Sequence, residues 1–76
     1  MEKLITVLKE IRPEFDFQES RDFIADGMLD SLDIINLVSA LDEDYRISIG
    51  GTEIVPENFR SLESIAALLR LHQVNP

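Results

Sequence analysis

Between Asp30 and Tyr45 the chain reads DSLDIINLVSALDEDY, a helix with its own start signal and a single apolar arc. Asp30 stands where an N-cap belongs, with Asp33 three residues on, so each carboxylate can accept from the other's backbone N–H. Both also place negative charge at the positive end of the helix dipole. At ~100° per residue, Ile34, Leu37, Val38, Leu41 and Tyr45 share one arc, the core face. Leu32, Asp33, Ile35, Asn36, Ser39 and Glu43 fall largely outside it. Once this segment is helical, the rest of the chain must supply cover for its apolar face.

The flanking sequence supplies more helix and no convincing sheet. Leu4, Val7, Leu8 and Ile11 recur at helical spacing over residues 2–11, and Pro13 disfavours helical geometry at Arg12, so this helix ends there. Residues 13–29, PEFDFQESRDFIADGML, show neither alternation nor a long stripe. They read as a long ordered loop, with room for one short helical turn, pinned by Phe15, Phe17, Phe23 and Ile24. Ile47-Ser48-Ile49 alternates like a strand but has no second strand to pair with. A helical turn is expected at Pro56–Phe59, with proline at its start. The last helix opens at Ser61 as N-cap and carries Leu62, Ile65, Leu68 and Leu69, then Leu71 or His72. Arg70 and His72 suit the negative end of its dipole. Residues 73–76 are expected to fray. With no repeat or linker, the reading is one all-α domain, residues 1–76, of three main helices and one short one.

Composition narrows the chemistry. A chain of 76 residues buries only ~60% of its unfolded surface and leaves little room for a deep catalytic cleft. The absence of cysteine removes disulfides, thiolate metal sites and a cysteine nucleophile, and fits a reducing cytoplasm. Fifteen acids against seven bases give a net charge of −8, which argues against nucleic acid and for basic protein surfaces as partners. Most of that charge is central: residues 13–29 and 30–46 each sum to −4, whereas residues 1–12 sum to +1 and 47–76 to −1. The charged N-terminal run MEKLITVLKE is neither a signal peptide nor a membrane span.

Catalytic motifs are missing from the sequence. The only histidine, His72, reads as a cap or surface residue, and no glycine-rich phosphate loop or Gly-x-Ser-x-Gly elbow is present. Ser31 lies between Asp30 and Asp33 with no base close in sequence, and neighbouring carboxylates disfavour its ionisation. The Asp42-Glu43-Asp44 cluster fails as a calcium loop, because Ile47 occupies the required glycine position and Arg46 an expected ligand position. It reads as a solvated helical face.

Three features nevertheless meet at Ser31: a serine in the first helical turn, acids on both sides, and apolar side chains turned away from the core. Leu32 and Ile35, rimmed by Asp30, Asp33 and Glu43, make a mixed patch suited to partner recognition, apolar for affinity and acidic for steering. The helix N-terminus also favours an attached phosphate. For Leu32 and Ile35 the plain alternative is packing against the long loop or the Phe59 turn.

The run from Asp26 to Ile49, DGMLDSLDIINLVSALDEDYRISI, resembles the signature of the acyl carrier proteins: Asp-Ser-Leu opening a helix, an aliphatic stripe, an acidic triplet, an aromatic residue and Ile-x-Ile. Downstream, VPENFRSLESI resembles that family's short third helix and the start of its fourth, and the likeness extends over essentially the whole chain. The resemblance implies an acyl-carrier-like four-helix bundle, monomeric and cytoplasmic. Ser31 would carry 4'-phosphopantetheine, installed from coenzyme A by a phosphopantetheinyl transferase, and the arm's thiol would hold acyl groups as thioesters. It further implies a non-catalytic protein whose partners include an acyl- or aminoacyl-activating ligase and a downstream acyltransferase or synthase, with no nucleic acid, metal or membrane insertion. Asp30 and Asp33 would orient partners, Leu32 and Ile35 would supply apolar contact, Asn36 would share that face, and Glu43 would add charge farther along.

Two departures refine the expectation. Carriers of bacterial fatty acid synthesis usually have an acid at the position of Asn36 and a glycine three residues before the serine, whereas Gly27 lies four before Ser31. The run Gly-Met-Leu-Asp-Ser resembles D-alanyl carrier proteins and other free-standing carriers that serve adenylating ligases. This favours a pathway-specific carrier of an amino acid or short acyl group. The rival from another class is an acidic interaction module of the same fold that never receives the arm.

Overall fold

Helices form where the apolar stripes lie in the computed structural model, which describes residues 1–76: α1 over Glu2–Ile11, α2 over Ser31–Tyr45, α3 over Pro56–Phe59 and α4 over Leu62–Leu71. Two single turns of 3₁₀ helix, Phe17–Glu19 and Gly51–Glu53, punctuate the long connections, and no strand forms. The chain is therefore an all-helical bundle of three main helices and one short one. No helix is long and apolar enough to cross a membrane.

The helix ends follow the local chemistry expected of them. Asp30 caps α2 in a reciprocal capping box with Asp33. Ser61 caps α4 by accepting from the Ser64 N–H at 3.0 Å, and Pro56 occupies the first turn of α3. α2 ends with Arg46 in the left-handed region, φ 56° and ψ 48°, while the Ile47 N–H reaches back to the Asp42 carbonyl at 3.1 Å. This termination ordinarily uses glycine at the left-handed position.

Four elements share one core. Leu4, Val7 and Leu8 of α1 meet Leu37, Val38, Leu41 and Tyr45 of α2 and Ile65, Leu68 and Leu69 of α4, with Phe59 closing from α3. The long loop contributes as much as a helix does. Phe17 and Phe23 are fully buried and meet edge-to-face at a centroid distance of 5.0 Å, while Phe15 and Ile24 are half-buried. Truncating either buried ring to alanine costs about 3–5 kcal/mol, a large part of the ~5–15 kcal/mol that holds a domain together. Met28 and Leu29, not anticipated as core, are buried as well. The Asp22 carboxylate accepts from the Ile24 and Ala25 N–H groups, and Gly27, at φ 72°, turns the backbone toward α2.

The C-terminal residues depart from expectation. Instead of fraying, Gln73 adopts φ 64°, its N–H donates to the Arg70 carbonyl, and the Val74 N–H donates to the Leu69 carbonyl at 3.2 Å. These two bonds satisfy the open carbonyls of α4, as a Schellman motif does. Val74 packs against the core, and the Tyr45 hydroxyl donates to the Pro76 oxygen at 2.8 Å. A valine two residues past the cap and a partly buried phenol give the tail something to hold. Asp42 also departs from the solvated face assigned to it, because its carboxylate accepts from the Ile49 N–H at 2.9 Å and anchors the chain leaving α2.

Arg46 offers a direct check on this geometry. An L-residue in the left-handed region costs about 1–2 kcal/mol, partly offset by glycine's own entropic penalty. Arg46→Gly should therefore stabilise the domain by about 0.5–1 kcal/mol, raising Tm by a few degrees in a thermal melt followed by circular dichroism. An unchanged or lower Tm would mean that α2 does not end in this conformation.

Candidate functional site

Ser31 is the first residue of α2 and is exposed. The capping box beside it leaves it free, because the four groups involved belong to its neighbours. The Asp33 N–H donates to Asp30 Oδ1 at 2.9 Å, and the Asp30 N–H donates to Asp33 Oδ2 at 3.1 Å. The serine hydroxyl is thus carried on a backbone turn tied on both sides.

Leu32 and Ile35, 65% and 57% exposed, are the most open large apolar side chains of α2. Both keep more than half of their surface open, so neither is committed to the core, and Ile35 also faces the loop residues Ile24 and Leu29 across a cleft. Asp30, Asn36, Ser39 and Glu43 are exposed too. Glu43 stands twelve residues beyond Ser31, about 18 Å along the helix axis. It therefore shares the outer face but not the immediate surroundings of the serine.

Asp33 is the correction. It was expected on the outer arc as a partner contact, yet it is buried, and its Oδ2 accepts from Arg12 Nη1 at 2.7 Å. The reason is geometric: Asp33 is four residues before Leu37, on the flank of the arc that faces the end of α1. Arg12 follows Leu8 by four residues on the stripe of α1, and its guanidinium also bonds Glu14 at 2.9 Å and lies over the Phe15 ring at 4.9 Å. Burial pushes the Asp33 carboxyl up, but the Asp30 backbone N–H and the Arg12 guanidinium outweigh it and hold the group below the ordinary carboxylate value. An arginine on an apolar stripe was the available sign that a buried acid lay opposite.

Beside Ser31 opens a cleft of about 550 Å³ whose walls come from the end of the long loop, the first turns of α2 and the connection before α3. Ile24 and Leu29 belong to the long loop, Ile34 and Ile35 to α2, and Ile54 and Val55 to the connection before α3. Asp30 and Ser31 also line it. The size falls in the ordinary range for small-ligand pockets and exceeds what so short a chain was expected to offer. Of its walls, Ile54 and Val55 had no functional signal in sequence, because only tertiary packing brings them to α2.

The wall carrying Ile54 is tethered by Glu53. One carboxylate oxygen accepts from the Gly50 N–H at 3.2 Å, and the other accepts from His72 Nε2 at 2.7 Å. His72 and the Gly50 N–H hold the Glu53 carboxyl below its ordinary range. His72 is indeed a cap, but its ring also ties the end of α4 to the cleft wall. No three His, Asp or Glu side chains converge to hold a metal ion.

Comparison with protein-family models, with curated proteins and with solved structures finds no match to this chain.

The Asp33 environment predicts acid sensitivity with a definite sign. A carboxyl depressed in the folded state contributes stability above its unfolded value, near 3.8, and loses it as pH falls through the folded value. Denaturant unfolding should show wild type more stable than Asp33→Asn at pH 7. The gap should narrow as pH falls below about 4. A gap constant from pH 7 to pH 3 would remove the charge on Asp33 from the explanation.

Proposed function

We propose that this chain is a non-catalytic carrier, modified at Ser31 with 4'-phosphopantetheine, that passes acyl or aminoacyl groups between enzymes. The observation that carries this reading is the exposed, uncommitted Ser31 hydroxyl on a braced helix start, opening beside an apolar cleft. The residues present fit such a group. Ser31 would hold it through its hydroxyl oxygen, and the positive end of the α2 dipole favours a phosphodiester there. Ile24, Leu29, Ile34 and Ile54 offer an apolar wall. When bound, the arm supplies a thiol that holds the acyl group as a thioester.

The protein's own residues then bind and orient. Leu32 and Ile35 provide the apolar contact a transferase or ligase needs, and Asp30, with Glu43 farther along, steers a basic partner surface. Asn36 lies on the same outer face. Asp33, neutralised by Arg12, braces the turn from within. The Ser31 hydroxyl is hydrogen-bonded to no side chain that could act as its base, and the one imidazole is bonded to Glu53, so activation would belong to the transferase. The likeness of residues 26–49 to the acyl carrier proteins supports the same reading. The cleft suits an aliphatic acyl group, while Asp30, its one charged lining residue, would be the counter-ion available to an aminoacyl ammonium.

The test is the intact mass of the purified chain after incubation with coenzyme A, magnesium and a broad-specificity phosphopantetheinyl transferase. Wild type should gain one arm. Ser31→Ala should gain none while its stability changes by no more than about 0.5 kcal/mol, as expected of an exposed substitution. A folded wild type that stays unmodified beside a positive control would instead leave the acidic, apolar face of α2 as a docking surface. Arm gained by the alanine variant would displace the assignment from Ser31.

A further inference from the structure

We propose that Arg12, at the far end of α1, is a positioning residue for Ser31, holding through Asp33 the backbone turn that presents the serine hydroxyl; this rests on the carrier reading above. The chain of contacts is short. Arg12 Nη1 donates to Asp33 Oδ2 at 2.7 Å, and the same oxygen accepts from the Asp30 N–H at 3.1 Å. Asp30 Oδ1 in turn accepts from the Asp33 N–H at 2.9 Å. Ser31 and Leu32 therefore form a two-residue arch whose ends are fastened to each other, and the fastening is oriented from outside α2 by one guanidinium.

That guanidinium is itself fixed on two further sides. Its Nε donates to Glu14 at 2.9 Å, and its central carbon lies over the half-buried Phe15 ring, 4.9 Å from the ring centroid. A planar fork held by two carboxylates and a ring has little freedom, which is the property a support for a reacting group requires. Without Arg12, the buried Asp33 carboxylate would lack its counter-charge. It would be drawn toward solvent, and its bond to the Asp30 N–H would compete with water. The first turn of α2 would remain helical, but the arch would lose its outer anchor.

This role separates from partner contact by its sign. Arg12 is a cation beside a face argued to meet basic partners, so deleting it makes the encounter no less favourable. A slower modification on its removal would have to come from presentation of the hydroxyl. Misplacing a reacting group by a fraction of an ångström to an ångström lowers rate without weakening association.

The experiment measures initial rates of arm transfer from coenzyme A to the full chain, at varied chain concentration, for wild type, Arg12→Ala, Arg12→Gln and Arg12→Lys. Each is assayed at a temperature where circular dichroism shows it folded. Arg12→Gln keeps part of the side-chain stem over Phe15 if the alanine variant is too unstable. The expected result is a kcat lowered about tenfold in the alanine and glutamine variants with KM unchanged or lower, and partial recovery with lysine, which restores a charge but not the fork. Equal kcat in wild type and the folded variants would overturn the proposal and leave the carrier reading standing. So would a loss confined to KM, which would make Arg12 a transferase contact. A wild type that accepts no arm would overturn both.

Discussion

The ion pair between Arg12 and Asp33 is the contact on which the arrangement around Ser31 depends. It joins the last turn of α1 to the first turn of α2 across 21 residues of sequence, and the two helices pack against each other behind it. Pairs of this kind add little net stability, but removing one partner strands the other charge in a place with poor hydration. Its value is therefore specificity of position. The end of α1 is tied to the N-cap of α2, and the loop between them must close over Phe17 and Phe23.

Acids hold this fold together at several places, which changes how its net charge is understood. Asp22 accepts from two backbone N–H groups in the long loop, Asp42 from Ile49 after α2, and Glu53 from Gly50 before α3. Asp33 does the same work at the helix start. A small domain without disulfides needs its irregular segments fastened, and a carboxylate that accepts backbone hydrogen bonds does so with strong, charge-assisted contacts. The acid left for partners is correspondingly smaller than −8 implies. On the outer side of α2 the exposed acids are Asp30, beside Leu32 and Ile35, and Glu43 farther along the helix.

The helices and their caps were legible because they depend on neighbours in sequence. Asp30 with Asp33, Pro56, Ser61 and the stripe Leu37–Leu41–Tyr45 each act within a turn or two. Ser31 was legible for the same reason, as a serine set in an acidic helix start. What escaped depends on tertiary proximity. Asp33 lies on the edge of the α2 arc, where helical angle alone does not decide between solvent and α1, and Arg12 decides it. Residues 73–76 lack periodicity, so nothing local announced that Val74 and Pro76 would find Leu69 and Tyr45. The cleft is assembled from three segments; Ile24, Asp30, Ser31, Ile34 and Ile35 each belonged to a pattern already recognised, but nothing local announced that Ile54 and Val55 would close it.

On the carrier reading, a serine without a base and a sequence without a thiol make sense together, because the thiol is imported. The chain contains no cysteine, so any thiol on the purified protein has come from elsewhere. Thiol titration after treatment with coenzyme A and a phosphopantetheinyl transferase, followed by desalting, reads this directly. One thiol per chain, absent from Ser31→Ala, is the result expected of a carrier. A folded chain with no titratable thiol, alongside a control protein that acquires one, would contradict it.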